Sequence, residues 1–190
     1  MQPQSPSTGP RAVREQKGFT VIEILVVVAI LGILAALAAP SFNTLIQNWR
    51  IRQVGDDFAA SFALARAEAM RRGGGAVIRR NPASDATCPG ADMSTAARWN
   101  CGWFVFVDAD GKGTLDDGEE ILRTSTLPQG LQFTRSQTAA FIPIDRWGQA
   151  SGAGMIGFSI EPLDGRPGTA SAICISSGGR IDIRRGSTAC

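Results

Sequence analysis

The most constraining feature of this sequence is an apolar run near its N-terminus. From Phe19 to Ala39, only Thr20 and Glu23 are polar. An α-helix rises about 1.5 Å per residue, so this run would measure about 31 Å, which matches the hydrocarbon thickness of a bilayer. We therefore expect residues 19–39 to cross a membrane once, with residues 1–18 as a separate leader.

The charges before the run predict its orientation. The leader contains Arg11, Arg14 and Lys17 and is rich in Pro, Ser and Gln. Basic flanks stay on the cytoplasmic side, so we expect the remainder of the chain on the opposite side. A cleaved secretory signal is the alternative, because the small residues of segment 35–39 resemble a cleavage site that follows an apolar region.

Glu23 is out of place inside the run. A carboxylate near the centre of a bilayer costs about 2.5–3.5 kcal/mol, and less near the edge. We therefore expect Glu23 to have a partner. The alternative is a solvated glutamate at the membrane edge of a simple anchor.

Residues 17–23, Lys-Gly-Phe-Thr-Val-Ile-Glu, together with the apolar run, resemble the prepilin signature of type IV pilins and type II secretion pseudopilins. The resemblance implies that a prepilin peptidase cuts between Gly18 and Phe19 and that Phe19 becomes N-methylated. It implies a single-pass inner-membrane protein with a periplasmic C-terminal domain, which then joins other major and minor pilins or pseudopilins in a filament. Glu23 would neutralise the N-terminal amine of a neighbouring subunit there and set the axial register, because an unpaired buried charge is costly.

A second helical segment is predicted over residues 40–73. Pro40 favours a kink, and the resemblance implies a helix-breaking proline that loosens the segment in the filament. Cationic residues and glycines at 71–75 are stop signals. An apolar stripe of three- and four-residue spacing predicts packing on a soluble domain; it consists of Phe42, Leu45, Ile46, Trp49, Val54, Phe58, Phe62, Ala65 and Ala69.

Residues 74–190 predict a globular β domain. Alternating segments separated by Gly, Pro, Asn, Asp and Ser indicate eight strands. The fold class is α+β, a long N-terminal helix packed on an antiparallel sheet or sandwich. The expected strands are 76–80, 102–107, 120–125, 130–134, 140–144, 154–160, 172–176 and 180–184.

The four cysteines of the β domain favour disulfides in an oxidising compartment. Four cysteines allow three connectivities. We prefer Cys88–Cys101, which brackets a loop rich in Pro, Gly and Ala, and Cys174–Cys190, which ties the C-terminal tail to a strand.

Composition argues against catalysis. The chain has no histidine and no tyrosine, which removes the usual general base and the commonest metal ligand. We predict no enzymatic activity and no cofactor. The formal charge of +2 is too small to indicate nucleic-acid binding, so such binding would need a local patch.

Three further segments narrow the resemblance to H-type pseudopilins and FimT/FimU-like minor pilins. They are residues 66–72, residues 102–108 with the later 120–123, and residues 173–176 with the following Gly-Arg at 179–180. The implied function is that of a minor type IV pilin that enters or primes a pilus. Pro40 and the Ala-rich 34–39 segment favour the pilus. The alternative is a minor pseudopilin of type II secretion with a structural tip role.

FimT-like minor pilins of transformable bacteria bind DNA through a C-terminal Gly-Arg-x-Arg element. The corresponding segment here begins at Arg180 but has Asp182 in place of the second arginine. Strand periodicity puts residue 184 on the same face, so Arg180, Arg184 and Arg185 are the candidate contacts with double-stranded DNA. The alternative is a solvated basic strand end.

Residues 108–119 match the spacing of a twelve-residue calcium loop, with candidate ligands Asp108, Asp110, Asp116 and Glu119. Lys112 stands at the fifth position, where an oxygen ligand belongs. A strand rather than a helix is predicted before the loop. We therefore favour a Gly- and Asp-rich hairpin turn without a metal ion, and calcium is the weaker alternative.

Overall fold

The structure, a computed structural model, describes residues 19–82, 88, 94–150, 154–165 and 170–190, without the side chains of residues 38–42. The predicted leader lies outside the described residues. One helix and eight strands follow one another along the chain: α1 (Val21–Arg72), β1 (Ala76–Arg80), β2 (Trp103–Val107), β3 (Ile121–Ser125), β4 (Leu131–Arg135), β5 (Phe141–Ile144), β6 (Ile156–Pro162), β7 (Ser171–Ile175) and β8 (Ile181–Arg185).

Both ends of α1 have the capping residues that its sequence contains. Thr20 precedes the helix, and its hydroxyl accepts a hydrogen bond from the Glu23 amide at 3.3 Å. At the other end, Gly73 has a φ of 82°, and the Gly74 amide donates to the Ala69 carbonyl at 2.7 Å. In the part of the chain that the structure describes, no helix is both long and apolar enough to span a bilayer.

The eight strands form two antiparallel four-stranded sheets. Sheet A has the order β3-β2-β1-β5, and sheet B has the order β4-β6-β7-β8. The strand positions agree with the sequence prediction to within one or two residues, because alternation and turn residues mark them clearly. β3 and β8 are edge strands of their sheets.

One core joins both sheets to the second part of α1. Phe58 is fully buried, and its ring centroid lies 5.1 Å from that of Trp103, 5.4 Å from that of Phe133 and 4.8 Å from that of Phe158. Residues Phe42–Cys190 accordingly form a compact unit of their own. The helix contributes Ile51, Val54, Phe58, Phe62, Ala65 and Ala69 to this core.

The predicted stripe on α1 is wrong in its first part. Leu45, Ile46 and Trp49 are exposed by 63%, 49% and 63%, although the pattern predicts that they pack on the β domain. Gln47 is half-buried instead, and its Nε2 donates to the Asp164 carboxylate at 2.9 Å. In this part of α1 a polar side chain contacts the domain, and the apolar side chains face away from it.

Candidate functional site

The predicted processing site is only partly described. Gly18 lies outside the described residues, and Phe19 precedes α1 with 78% of its surface exposed. Glu23 lies in the first turn of the helix, where a negative charge is favourable. Its carboxylate is exposed and has no ionic partner within the described residues. Glu23 is therefore accessible to a partner from another molecule.

A long apolar surface of α1 has no cover within the described residues. The large apolar side chains between Val21 and Leu37 are all at least half exposed. Leu45, Ile46 and Trp49, which belong to the second compact unit of the chain, are also exposed. Monomeric proteins rarely leave apolar patches of this extent in water.

The basic residues of β8 differ in their contacts. Arg184 is engaged, because its Nε lies 3.1 Å from the Asp182 carboxylate and its Nη1 donates to the main-chain oxygen of Cys190 at 2.6 Å. Arg180 and Arg185 are exposed and have no side-chain partner in the part of the chain described. Arg184 and Arg185 thus lie on the edge strand β8 and Arg180 directly precedes it, and of these three residues only Arg184 has a side-chain partner among the described residues.

Two carboxylates of the acidic loop between β2 and β3 accept hydrogen bonds from the backbone of the loop itself. Asp108 accepts hydrogen bonds from the amides of Gly111 and Gly113, and Glu119 accepts from those of Ala109 and Asp116 at 2.8 and 2.9 Å. These bonds are those of a tightly turned connection between two strands.

A lysine supplies the positive charge of this loop. The Lys112 ammonium lies 2.5 Å from Asp110 and 2.9 Å from Asp116. Its hydrogen bond holds the pKa of Asp110 below the ordinary value, and both carboxylates raise the pKa of Lys112. Oxygens of Asp108, Asp110 and Glu119 lie within 4.8 Å of one another, but Asp116 is outside that group. The positions of these acidic residues are therefore explained by the hydrogen bonds and ion pairs of a hairpin turn.

Two disulfides have the preferred connectivity, Cys88–Cys101 and Cys174–Cys190. The second holds the C-terminal segment against the outer face of sheet B. A Cβ added at Gly157 would lie 3.1 Å from the Cys190 sulfur, so the glycine makes room for this contact. The segment borders a cavity of about 180 Å³ that Thr134, Ser136 and Ser159 also line.

Sequence reasoning missed an exposed aromatic residue in the turn after β5. Trp147 is 67% exposed, and the Arg146 guanidinium carbon lies 5.2 Å from its ring centroid. The Asp145 carboxylate accepts hydrogen bonds from the amides of Trp147 and Gln149 at 2.9 and 2.8 Å, which fixes the turn. The only signal in the sequence is a tryptophan between the turn residues Asp145 and Gly148.

A second turn packs against the first through glycine backbones. A Cβ added at Gly179 would lie 2.9 Å from the Gly148 carbonyl oxygen. Beneath this contact, Arg66 of α1 donates from Nη1 to the Gly179 carbonyl at 2.8 Å. Arg180 follows Gly179 and Trp147 precedes Gly148, so the contact of the two glycines brings the backbones of Arg180 and Trp147 near each other. We refer to Arg66, Arg146, Trp147 and Arg180 together as the Trp147 surface.

Comparison with known proteins agrees with this architecture. Residues 13–39 match the prokaryotic N-terminal methylation motif, which with the helix and antiparallel sheets defines a pilin-like protein. Residues 55–179 match the family described as type II transport protein GspH. The chain belongs to the GspH family. Pilins and pseudopilins are structural proteins, and they associate with other subunits of their kind.

Individual relatives share the N-terminal region or the fold. The type IV major alpha-pilin of Moraxella bovis is 47% identical over 45 residues, which are 24% of this chain and 28% of the relative. A type IV major fimbrial protein FimA of Dichelobacter nodosus is 38% identical over 82 residues, which are 43% of this chain and 42% of the relative. The chain therefore spans less than half the length of these curated relatives.

A solved structure extends the similarity to the β domain. The type IV minor pilin FimU of Pseudomonas aeruginosa superposes with a TM-score of 0.52 at 18% identity, over 73% of this chain and 96% of FimU. A second crystal form of FimU gives a TM-score of 0.53 at 17% identity, over 74% of this chain and 92% of FimU. At this identity the similarity concerns the fold alone, and it is the pilin-like fold predicted from the sequence.

Proposed function

We propose that the protein is a minor type IV pilin that enters or primes a pilus. The observation that carries this proposal is the exposure of the large apolar side chains of α1 between Val21 and Leu37 and at Leu45, Ile46 and Trp49. Such a surface needs lipid before assembly and apolar helices of other subunits afterwards. The methylation motif and the FimU-like fold support the same conclusion.

The proposal includes the path to the filament. A prepilin peptidase cuts between Gly18 and Phe19 and methylates Phe19, and residues 19–39 hold the subunit in the inner membrane with the β domain in the periplasm. Glu23 then pairs with the terminal amine of a neighbouring subunit. The exposed, unpaired state of the Glu23 carboxylate in the single chain supports this role.

The experiment is to express Glu23→Ala in the natural host and measure processing, membrane insertion and incorporation into sheared filaments. We expect normal insertion and processing with a strong loss of incorporation. Asp117→Ala is the matched control, because Asp117 is another exposed carboxylate without a partner. Normal incorporation of the Glu23 variant would refute the pairing role.

The alternative assembly is the type II secretion pseudopilus, in which the protein would have a structural role at the tip. Its specific support is membership of the GspH family, described as type II transport. Immunodetection of the protein in purified pili, beside secretion and pilus assays of a deletion strain, separates the two. If the deletion strain loses secretion but keeps intact pili, the protein belongs to the pseudopilus and the pilus proposal is wrong.

A second candidate function is binding of double-stranded DNA at β8. It is favoured by the exposed and unpaired guanidinium groups of Arg180 and Arg185, which suit phosphate contacts. Such binding would be independent of sequence and would weaken steeply with salt. Arg184 contributes less, because Asp182 and Cys190 already engage it.

A gel shift of the full chain in neutral detergent tests this candidate. Arg180→Glu with Arg185→Glu should abolish retardation of duplex DNA. The control is Arg50→Glu with Arg52→Glu, which makes the same charge change at exposed positions of α1. If the wild type and the Arg180→Glu, Arg185→Glu variant retard duplex DNA equally, these two arginines do not bind DNA.

A further inference from the structure

The backbone of Trp147 is held in place by the hydrogen bonds of its turn. Its turn is held by the Asp145 carboxylate and by the hydrogen bond from the Gly148 amide to the Asp145 carbonyl at 2.9 Å. Arg146 lies over the ring, yet two thirds of the Trp147 side chain remains exposed. A planar ligand can therefore stack on the indole without a rearrangement of the turn.

The groups around the indole carry an excess of positive charge. Arg66, Arg146 and Arg180 have no carboxylate partner within the described residues. Asp145 is the acidic residue of the turn, and its Oδ1 already accepts two backbone hydrogen bonds. The Nε of Arg66 is buried and makes no hydrogen bond. The Trp147 surface thus combines an exposed aromatic ring with uncompensated guanidinium groups.

The second turn is as well ordered as the first. The Gly179 amide donates to the Ser176 carbonyl at 2.8 Å, and the Arg180 amide donates to the Ser176 hydroxyl at 3.1 Å. Close contact of the two turns requires glycine at 179, and the positive φ angles of 73° at Gly148 and 76° at Gly179 favour glycine at both positions. The relative positions of the Trp147 and Arg180 backbones are therefore set by the contact of the two turns.

We propose that the Trp147 surface binds single-stranded nucleic acid, with Trp147 stacked on an unpaired base and Arg146 and Arg180 in contact with the flanking phosphates. A single strand offers base faces that can stack on the indole and phosphates that can pair with the guanidinium groups. Duplex DNA hides its base faces, so stacking on Trp147 requires unpaired nucleotides. The inference rests in part on the DNA-binding function proposed above, because both use Arg180.

The test is fluorescence anisotropy of a labelled oligothymidylate of about twelve nucleotides, with the full chain in neutral detergent at low salt. Trp147→Ala should weaken binding roughly 5- to 150-fold, the range for loss of one stacked base. Trp147→Phe should retain most of the affinity. Trp49→Ala is the matched control, because it removes another exposed indole, and it should leave binding unchanged.

Two further probes separate stacking from charge. An oligonucleotide with abasic sites keeps its phosphates but offers no bases, so its binding should be weaker and independent of Trp147. A duplex of the same length should respond to Arg180→Glu with Arg185→Glu but not to Trp147→Ala. Arg146→Glu should weaken binding of both the oligothymidylate and the abasic strand.

The outcomes distinguish the two proposals. Stacking is refuted if Trp147→Ala binds oligothymidylate as tightly as the wild type does. It is also refuted if Trp147→Ala loses the same factor in affinity for the abasic strand as for oligothymidylate. In both cases the proposal of duplex binding stands. If the wild type binds no probe, both nucleic-acid proposals fail. If Trp147→Ala leaves nucleic-acid binding intact but reduces incorporation into filaments, the surface is a protein contact and the inference is overturned.

Discussion

Two regions of the same helix differ in the exposure of their apolar side chains. Between Ile51 and Ala69, the six side chains that α1 contributes to the core pack on both sheets and are at most 3% exposed. Between Val21 and Leu37, and again at Leu45, Ile46 and Trp49, comparable side chains are exposed. The first region stabilises the fold of this chain, and the second is available only to lipid or to other molecules. Substitutions in the two regions should therefore change different properties.

The largest expected effect on stability is that of Phe58→Ala. Phe58 is surrounded by four aromatic rings, so its removal leaves a cavity and should lower the free energy of unfolding by about 3–5 kcal/mol. Trp49→Ala, in the exposed region, should change it by less than about 0.5 kcal/mol. Denaturant unfolding followed by circular dichroism measures both. Equal losses of unfolding free energy in the two variants would contradict the division of α1 into a core region and an exposed region.

A smaller effect is expected for Ser61→Ala. The Trp103 indole donates from Nε1 to the Ser61 hydroxyl at 2.9 Å, and both residues are buried. Without its acceptor the buried indole N–H is unsatisfied, which should cost about 1–3 kcal/mol of unfolding free energy. Ser177→Ala is the control, because Ser177 is exposed. A neutral result for Ser61→Ala in the same denaturation assay would show that Trp103 finds another acceptor.

A pH effect is expected at the C-terminal end of α1. Hydrogen bonds from Arg71 and Arg72 hold the pKa of Glu68 below its ordinary value of 4.5. Because the folded pKa is depressed, the stabilisation is present above about pH 4.5 and is lost as the pH falls through the folded pKa.

Thermal unfolding between neutral pH and about pH 3 measures this loss. Glu68→Gln should remove part of the decline, and Asp117→Asn should leave it unchanged. The effect is small because Glu68 and its partners lie at the surface, where solvent screens ion pairs. Identical pH profiles for Glu68→Gln and the wild type would show that this pair does not contribute.

The smallest expected effect on stability is that of Leu45→Ser with Trp49→Ser. Both side chains are exposed, so the free energy of unfolding should not change by more than about 0.5 kcal/mol. If this surface contacts other subunits, incorporation into filaments should nevertheless fall. Quantification in sheared filaments checks this expectation. If the variant is stable and enters filaments normally, the surface that contacts other subunits consists only of residues before Pro40.

Much of the fold could be predicted because its signals are local. Strands such as 131–135 alternate buried and half-buried side chains, and turn residues separate them from their neighbours. The end of α1 follows from Arg72 and Gly73 for the same reason. The stripe at Leu45–Trp49 was misread because periodicity identifies an apolar face but does not say which molecule covers it.

The candidate site was less predictable because it depends on tertiary contacts. The resemblance to a Gly-Arg-x-Arg element pointed to Arg180 and the strand period added Arg184, but the engagement of Arg184 by Cys190 depends on the path of the C-terminal segment. Trp147 is one residue in a turn and has no periodic signal. Its nearness to Arg180 results from the Gly148–Gly179 contact, which joins two turns distant in sequence.

The connectivity of the disulfides has a consequence for the order in which they can form. Cys88 pairs with Cys101, and Cys174 pairs with Cys190, so each cysteine bonds to its immediate neighbour along the sequence. A chain that emerges from its N-terminal side exposes the cysteines in this order. Oxidation of each pair as it appears gives the native connectivity directly, so the domain has no need of a later disulfide rearrangement.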